Sequence, residues 1–247
     1  MKRIIIFLSV VFFLASCAEQ TRFERLDAAQ TGIDFTNTIT ESDSFNILNN
    51  EYMYNGGGVG VGDFNNDGLQ DLVFTGNQVS TRLYLNQGDF RFKDITANLQ
   101  ELDAAKWHSG VTVVDINADG RLDFYLTSTT SDDPRERRNE LGVHQGLNDS
   151  GEPHFVEMAG QYGIADEGYS VHAAFLDYDQ DGDLDLYVLN NIVGKDVPTN
   201  YRAKMVDGSS PNNDSFYRNE GNGRFVNVTK EAGIVIEGFG LGLAVGD

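Results

Sequence analysis

The stretch Asp63-Phe64-Asn65-Asn66-Asp67-Gly68-Leu69-Gln70-Asp71 decides the fold, because the chain repeats its pattern twice more. The pattern returns as DINADGRLD at residues 115–123 and as DYDQDGDLD at residues 177–185. Asp247, the last residue, stands where a fourth copy begins. Oxygen-bearing side chains at positions 1, 3, 5 and 9, with glycine at position 6, suit a hard cation held in a tight turn. The repeat therefore predicts a chain built around calcium-binding loops.

Short strand-like runs flank every copy of this loop. Residues 58–62, 110–114 and 171–176 precede the loops, and residues 71–74, 123–126 and 185–188 follow them. A third run follows at residues 82–86, 140–144 and 215–219, the middle one being the weakest. A fourth run closes each repeat at residues 90–96, 154–158 and 224–229. Four short strands per repeat, without a long helical period, are typical of a β-propeller blade.

The repeats predict an all-β propeller domain at residues 46–247, with blades at about 52–100, 107–164 and 169–234 and a partial blade at 238–247. The loops begin at residues 63, 115, 177 and 247, so their spacings grow from 52 to 62 to 70 residues. Insertions at residues 131–138 and 194–213 explain the growth. They are either partner-binding loops on one face or solvated spacers. Three blades are too few to close a ring, so we expect this chain to be part of a longer protein.

The proposed metal ligands are all oxygens. No cluster of cysteine and histidine offers the softer ligands that zinc prefers. An EF-hand needs Glu at position 12, where this chain has Phe74, Leu126 and Val188, so the loops predict β-hairpins closed by the position 9 Asp. Side chains at positions 1, 3, 5 and 9, with the position 7 carbonyl, give three sites of five residues: Asp63, Asn65, Asp67, Leu69 and Asp71; Asp115, Asn117, Asp119, Arg121 and Asp123; and Asp177, Asp179, Asp181, Asp183 and Asp185.

Composition places the protein among folded, acidic proteins. Of 247 residues, 40% are hydrophobic, and 18 basic against 38 acidic residues give a formal net charge of −20. Such a charge repels nucleic acid and argues against a basic membrane-binding patch. Glycine is frequent at 27 residues and proline rare at 4, which suits many tight turns.

The N-terminus resembles a bacterial lipoprotein signal. A basic start at residues 1–3 and a short apolar run precede Leu14-Ala-Ser-Cys17, which is similar to a lipobox with lipid attached at Cys17. An ordinary secretory signal with an incidental cysteine is the alternative. Ala18 after the cysteine implies an outer-membrane lipoprotein, facing either the periplasm or the surface. Residues 18–45 are expected to contain a tether and one N-terminal strand, at residues 31–37, where apolar and polar residues alternate.

The loops and their glycine-rich approach strands resemble FG-GAP/VCBS repeats, the calcium-hairpin blades of integrin alpha-chain propellers. The stretch of residues 54–68, YNGGGVGVGDFNNDG, and the phrase LYLN at residues 83–86 are closer still to bacterial proteins related to the cartilage acidic protein and ASPIC/UnbV group. The resemblance covers roughly residues 31–247. It implies a seven-bladed propeller with about three structural Ca²⁺ ions in this part, and it does not imply integrin function.

Catalytic candidates are few. His108, His144, His154 and His172 share no spacing, and a histidine in a strand is usually a packed or surface residue. Trp107 is either a packing residue or a stacking surface for a sugar. Arg135, Arg137 and Arg138 alternate with acidic residues, which indicates a solvated loop. The first hypothesis is therefore a lipid-anchored scaffold that binds a protein or glycan partner, and not an enzyme. The alternative is a polysaccharide lyase or hydrolase with a propeller body.

Overall fold

Three four-stranded antiparallel sheets form the core of the computed structural model, which describes residues 23–99, 101–102, 106–191, 203–210 and 212–246. We call these sheets blades 1, 2 and 3. In each blade the strands lie side by side in chain order. The strands are β1 Val59–Gly62, β2 Asp71–Phe74, β3 Arg82–Asn86 and β4 Phe92–Asp94; β5 His108–Val114, β6 Asp123–Ser128, β7 Glu140–Leu147 and β8 Pro153–Glu157; and β9 Ser170–Leu176, β10 Asp185–Asn190, β11 Ser215–Asn219 and β12 Phe225–Asn227.

The prediction of an all-β fold with four strands per repeat is confirmed, and the arrangement is propeller-like. The third strand of the second repeat, the weakest in sequence, is the eight-residue β7, the longest strand described. Helical structure within the described residues is short: α1 Ala28–Thr31, α2 Ala159–Tyr162 and a 3₁₀ turn at Thr96–Leu99. None of the described helices is long or apolar enough to cross a membrane.

Apolar side chains meet between neighbouring blades. One buried cluster joins blades 1 and 2 through residues such as Phe64, Leu83 and Phe155. A second cluster joins blades 2 and 3 through residues that include Tyr125 and Leu186. Every residue of β6 is buried, because its side chains pack alternately against blade 1 and blade 3. Stacking of the blades therefore supplies the cores that single sheets lack.

Residues 31–37 do not form the expected strand. Gly32, at φ 79°, ends α1, and residues 33–40 have alternately half-buried and exposed side chains but belong to no strand. Side chains hold this segment on blade 1: the Tyr84 hydroxyl donates to Asp34 at 3.0 Å, and the Phe35 ring stacks on Phe74 at 5.2 Å. The alternation in sequence thus reflects packing on a blade face rather than a backbone ladder. Within the expected tether, residues 34–40 therefore contact blade 1.

The short helix and Gly-Ile pair that precede blade 1 have a counterpart before blade 3, which the sequence analysis did not predict. Gly163 ends α2 at φ 79°, and a Cβ on it would lie 3.0 Å from the carbonyl oxygen of Phe225 in β12. A Cβ on Gly32 would lie 2.5 Å from the carbonyl oxygen of Phe92 in β4. A short helix followed by Gly-Ile therefore packs against the fourth strand of the next blade in both places. The recurring Gly-Ile pair was the available signal.

Glycines in or immediately before the first strands let neighbouring blades approach one another. A Cβ on Gly58 would lie 2.8 Å from the backbone nitrogen of Val111 in β5, and one on Gly110 would lie 2.9 Å from the carbonyl oxygen of Val171 in β9. Backbone atoms cannot move aside as the end of a flexible side chain can. The glycine-rich approach to each loop thus reflects the close contact of β1, β5 and β9.

Gly58→Ala is expected to destabilise the protein by about 1–3 kcal/mol, because blade 2 must shift to admit the methyl group. Urea unfolding of wild type and variant measures the change. Gly160→Ala is the matched control, since a Cβ there meets nothing within 4 Å and Ala is the better residue in a helix. Equal unfolding midpoints for wild type and Gly58→Ala would contradict the packing argument.

Candidate metal centres

Each acidic loop joins the first and second strands of one blade, as a β-hairpin requires. The position 9 residue is the first of the second strand, and it pairs with the residue just before the loop. The pairs are Gly62 with Asp71, Val114 with Asp123 and Leu176 with Asp185. The interpretation of the loops as hairpin turns rather than helix–loop–helix motifs therefore agrees with the structure.

Two left-handed residues shape each turn. Glycine at position 6 has φ of 87°, 79° and 97° in the three loops, as its place in the motif indicates. Position 4 is also left-handed, with φ of 58° at Asn66, 53° at Ala118 and 62° at Gln180. The sequence does not reveal this second requirement, because Ala118 lacks the side-chain amide that Asn66 and Gln180 have in common.

The carboxylates at positions 1 and 5 accept hydrogen bonds from backbone nitrogens within their own loop. In the first copy, Asp63 accepts hydrogen bonds from the backbone nitrogens of Asp67 at 3.0 Å and Gly68 at 2.8 Å. Asp115 repeats both bonds in the second copy, and Asp177 accepts from Gly182 at 3.2 Å in the third. The position 5 carboxylate accepts from the backbone nitrogen of position 7 in all three loops.

The position 9 carboxylates are buried and connect the loop to the rest of the blade. Asp123 is 1% exposed. One of its oxygens accepts from the backbone nitrogen of Ile116 at 3.0 Å, and the other from that of His144 in β7 at 2.8 Å. Asp71 and Asp185 have the same two kinds of partner, in the loop and in the third strand. A carboxylate keeps further lone pairs beside these bonds, so position 9 can serve both the hairpin and a cation.

The third-strand partners were missed at the sequence level, although a signal exists. Asn86, His144 and Asn219 each donate a backbone N–H to the closing Asp of their own blade. In each, a side-chain atom also accepts from a backbone nitrogen two residues later, at Gly88, Gly146 and Gly221. The recurring sequence pattern is therefore a residue with a side-chain hydrogen-bond acceptor, followed two positions later by glycine.

His144 ties the first two loops together. Its Nδ1 accepts from the backbone of Gly146 at 3.0 Å, so Nε2 carries the proton and donates to the carbonyl oxygen of Phe64 at 3.1 Å. Burial lowers the pKa of His144, which keeps the ring neutral near pH 7. The imidazole thus links the first loop to β7, which in turn binds Asp123 through its backbone.

His108 is also buried and bonded. Its Nδ1 lies 2.9 Å from the Thr81 hydroxyl and its Nε2 lies 3.0 Å from Glu140, which in turn pairs with Lys106 at 2.8 Å. His172 is half-buried, and His154 is exposed. The structure therefore places the four histidines in separate surroundings.

Negative charge is crowded in the loops. Burial, and after it the charge of the neighbouring loop carboxylates, raises the pKa of Asp71 and of Asp123 to about 6, and two backbone hydrogen bonds to each carboxylate limit the shift. In the third loop, desolvation and then the charge of Asp181 raise the pKa of Asp179 and Asp183. Nearby positive charge would lower all four pKa values.

The third loop has the closest grouping of carboxylates. Oxygens of Asp177, Asp179 and Asp185 all lie within 4.8 Å of one another. The buried Oδ1 of Asp183 has no hydrogen-bond partner among the residues that the structure describes. This all-oxygen set, with one orphaned oxygen beside it, fits a hard cation such as Ca²⁺. In the second loop, Arg121 instead donates to Asp119 at 2.6 Å and already neutralises part of that site.

Arg137 departs from the expectation of a solvated loop. Arg135 and Arg138 are exposed, whereas Arg137 is 8% exposed. Its guanidinium donates to the carbonyl oxygens of Ser131 and Glu167 and lies 4.0 Å from the centre of the Tyr169 ring. The insertion at residues 131–138 is therefore anchored to the segment before blade 3.

Three predicted features fall outside the described residues. These are the lipid-attachment residue Cys17 with its signal segment, residues 194–202 and 211 of the insertion at 194–213, and Asp247, the first residue of the expected fourth loop.

Comparison with protein families finds an FG-GAP-like repeat over residues 38–126. This range contains all of blade 1 with its acidic loop. It also contains β5, the second acidic loop and the first part of β6. No curated protein gives a significant match.

Proposed function

The chain carries an FG-GAP-like repeat of the FG-GAP/VCBS family, and from this premise we propose that it is a calcium-stabilised scaffold whose loops present a binding surface. The complete ring is proposed to have seven blades, of which three and the start of a fourth are in this sequence. Calcium is a structural part of this scaffold and takes no part in a reaction.

The observation that carries the proposal is the carboxylate group of the third loop, with oxygens of Asp177, Asp179 and Asp185 within 4.8 Å. Mutual repulsion disfavours this arrangement unless a cation balances it. The other two loops have the same closing Asp bonds and the same left-handed positions, which supports one site per blade. Loop position 7 would add a backbone carbonyl from Leu69, Arg121 or Asp183.

Calcium titration followed by native mass spectrometry tests this proposal. We expect three Ca²⁺ ions on the wild-type chain and two on the double variant Asp177→Asn/Asp179→Asn. Asp149→Asn is the matched control, because Asp149 is exposed in a turn outside the loops, and it should retain three. A chain that binds no Ca²⁺ at 1 mM free ion, roughly the range of weak extracellular calcium modules, would contradict the proposal.

The scaffold is further proposed to be anchored to the bacterial envelope by lipid on Cys17, as an outer-membrane lipoprotein. The basic start, the short apolar run and the Leu-Ala-Ser-Cys ending support this. Incorporation of labelled palmitate by wild type and its loss in Cys17→Ser is the expected result. Labelling that persists in the variant would contradict the anchor.

The partner is proposed to be a protein or a glycan rather than nucleic acid. A formal charge of −20 opposes binding to phosphate backbones. The ring nitrogens of both buried histidines are engaged in hydrogen bonds within the fold, His108 with Thr81 and Glu140 and His144 with Phe64 and Gly146, which supports a structural role for both rings.

A further inference from the structure

A cavity of about 430 Å³ lies at the end of the blades opposite the acidic loops. It is lined where the first strands begin, at Val59, Ser109 and His172, whereas the loops follow the other ends of the same strands. Binding pockets for small molecules have volumes of roughly 300–1,000 Å³, so the cavity is large enough for a compact ligand.

None of the described residues that line this cavity has a charged side chain. Its described lining contains no Asp, Glu, Lys or Arg, although 23% of the chain consists of those residues. His172 is the titratable imidazole of the lining, and burial lowers its pKa, so the ring is neutral near pH 7. A neutral cavity in so acidic a protein selects against ionic ligands, because a charged group would lose its hydration without gaining a partner.

Two buried amides of the lining have unsatisfied polar atoms. Asn191 is 2% exposed, and its Nδ2 donates to the carbonyl oxygen of Gly240 at 3.1 Å. That bond sets the orientation of the amide and leaves Oδ1 as an acceptor without a partner among the described residues. Asn50 is 5% exposed, and its Nδ2 is a hydrogen-bond donor without a partner among the described residues. Both atoms have almost no accessible surface, so a ligand hydroxyl pairs with them only after the amides turn toward the cavity. Such pairing would recover the cost of about 1–3 kcal/mol of each unpaired buried atom.

Aromatic rings complete the lining. Trp107 and Tyr52 are both half-buried at the cavity, and Phe45 packs on Trp107 at 5.2 Å between ring centres. The lining residue Thr130 has φ of 80°, an outlier for a β-branched side chain, and such strain is concentrated at binding sites. Flat apolar rings beside hydrogen-bonding amides match the two faces of a sugar, which has C–H groups on one side and hydroxyls around its edge.

We propose that this cavity binds a neutral saccharide, with Trp107 or Tyr52 against the sugar ring and Asn50 and Asn191 bonded to its hydroxyls. The Asn50 amide donates and the Asn191 carbonyl oxygen accepts, and a hydroxyl group can satisfy either. This inference rests on the proposed scaffold function and names the ligand class of its binding face.

Trp107 is the only tryptophan of the chain, so its fluorescence reports on the cavity directly. We propose to titrate the full-length, calcium-loaded chain with neutral oligosaccharides of glucose, galactose, mannose and fucose. Uronic acid and sulfated oligosaccharides of equal length form the comparison set. We expect a saturable change in Trp107 emission with at least one neutral sugar and none with its charged counterpart.

Three variants locate the site. Asn50→Asp replaces the free donor by an acceptor, and Tyr52→Ala removes a ring of the lining; each is expected to weaken sugar binding roughly tenfold or more, which corresponds to about 1.4 kcal/mol. Tyr54→Ala is the matched control, because Tyr54 is 60% exposed and does not line the cavity. Thermal unfolding confirms that each variant is folded, and Asn50→Ala replaces Asn50→Asp if the charge prevents folding.

The outcomes separate this inference from the scaffold proposal. Three bound Ca²⁺ ions without any sugar response, or with equal binding of charged sugars, overturn the saccharide site alone. Binding that survives both Asn50→Asp and Tyr52→Ala overturns it as well. A sugar response in a chain that binds no Ca²⁺ supports the saccharide site and overturns the calcium proposal.

Discussion

Asp123→Ala is expected to lower the free energy of unfolding by about 3 kcal/mol or more, among the largest effects of any loop substitution. The change leaves the backbone nitrogens of Ile116 and His144 buried without an acceptor. Each unpaired buried N–H costs about 1–3 kcal/mol. Urea unfolding in excess calcium and again in chelator measures the loss. Asp149→Ala, in an exposed turn, is the matched control and should stay within about 0.5 kcal/mol of wild type.

The two conditions distinguish the hydrogen bonds of the closing Asp from its proposed role as a metal ligand. Asp123→Ala should be destabilised both with calcium and in chelator, because its backbone bonds need no ion. Asp179→Ala, at an exposed position of the third loop, should be destabilised only with calcium. If Asp123→Ala unfolds at the wild-type urea concentration in chelator, the hydrogen bonds to Ile116 and His144 do not stabilise the fold.

Removal of calcium is expected to lower the thermal midpoint by about 15 °C or more. An ion present at 100 times its dissociation constant stabilises a folded protein by about 2.7 kcal/mol per site, so three sites supply about 8 kcal/mol. For a domain of this size, each kcal/mol shifts the midpoint by about 2–4 °C. Differential scanning calorimetry in calcium, in magnesium and in chelator measures the effect. Magnesium is the matched control, because it fits a flexible cage of many oxygens less well.

The calcium effect is expected to grow with pH between 5 and 7.5. In the metal-free protein the pKa values of Asp71 and Asp123 are about 6, against an ordinary value of 3.8. Stability from their protonated forms is therefore fully present below pH 4 and is lost as the pH rises through 6. Calcium requires the ionised forms and relieves their repulsion, so it protects most where the metal-free protein is weakest. A calcium shift that is equal or larger at pH 5 would contradict this linkage.

The sequence predicted the features that depend on local contacts and failed for those that depend on distant ones. The hairpin turns at residues 63–71, 115–123 and 177–185 follow from local bonds, such as Asp63 to the backbone of Gly68. The strand predicted at residues 31–37 fails, because an alternating pattern indicates two faces and not a hydrogen-bonded neighbour. Arg137 looked solvated among charged neighbours, and its burial depends on Tyr169, which lies in another segment.

By itself, the sequence determined the repeat, the all-β class and the turn chemistry of each loop. These are interactions within nine residues, so the spacing of Asp, Asn and Gly is sufficient to specify them. Only the tertiary structure decided which buried N–H groups the closing carboxylates bind, since Asp123 meets a strand 21 residues away in His144. It also decided the neutral cavity, whose lining runs from Asn50 to Leu241. Such contacts form when blades stack to bury apolar side chains, and no local pattern encodes which distant residues that stacking brings together.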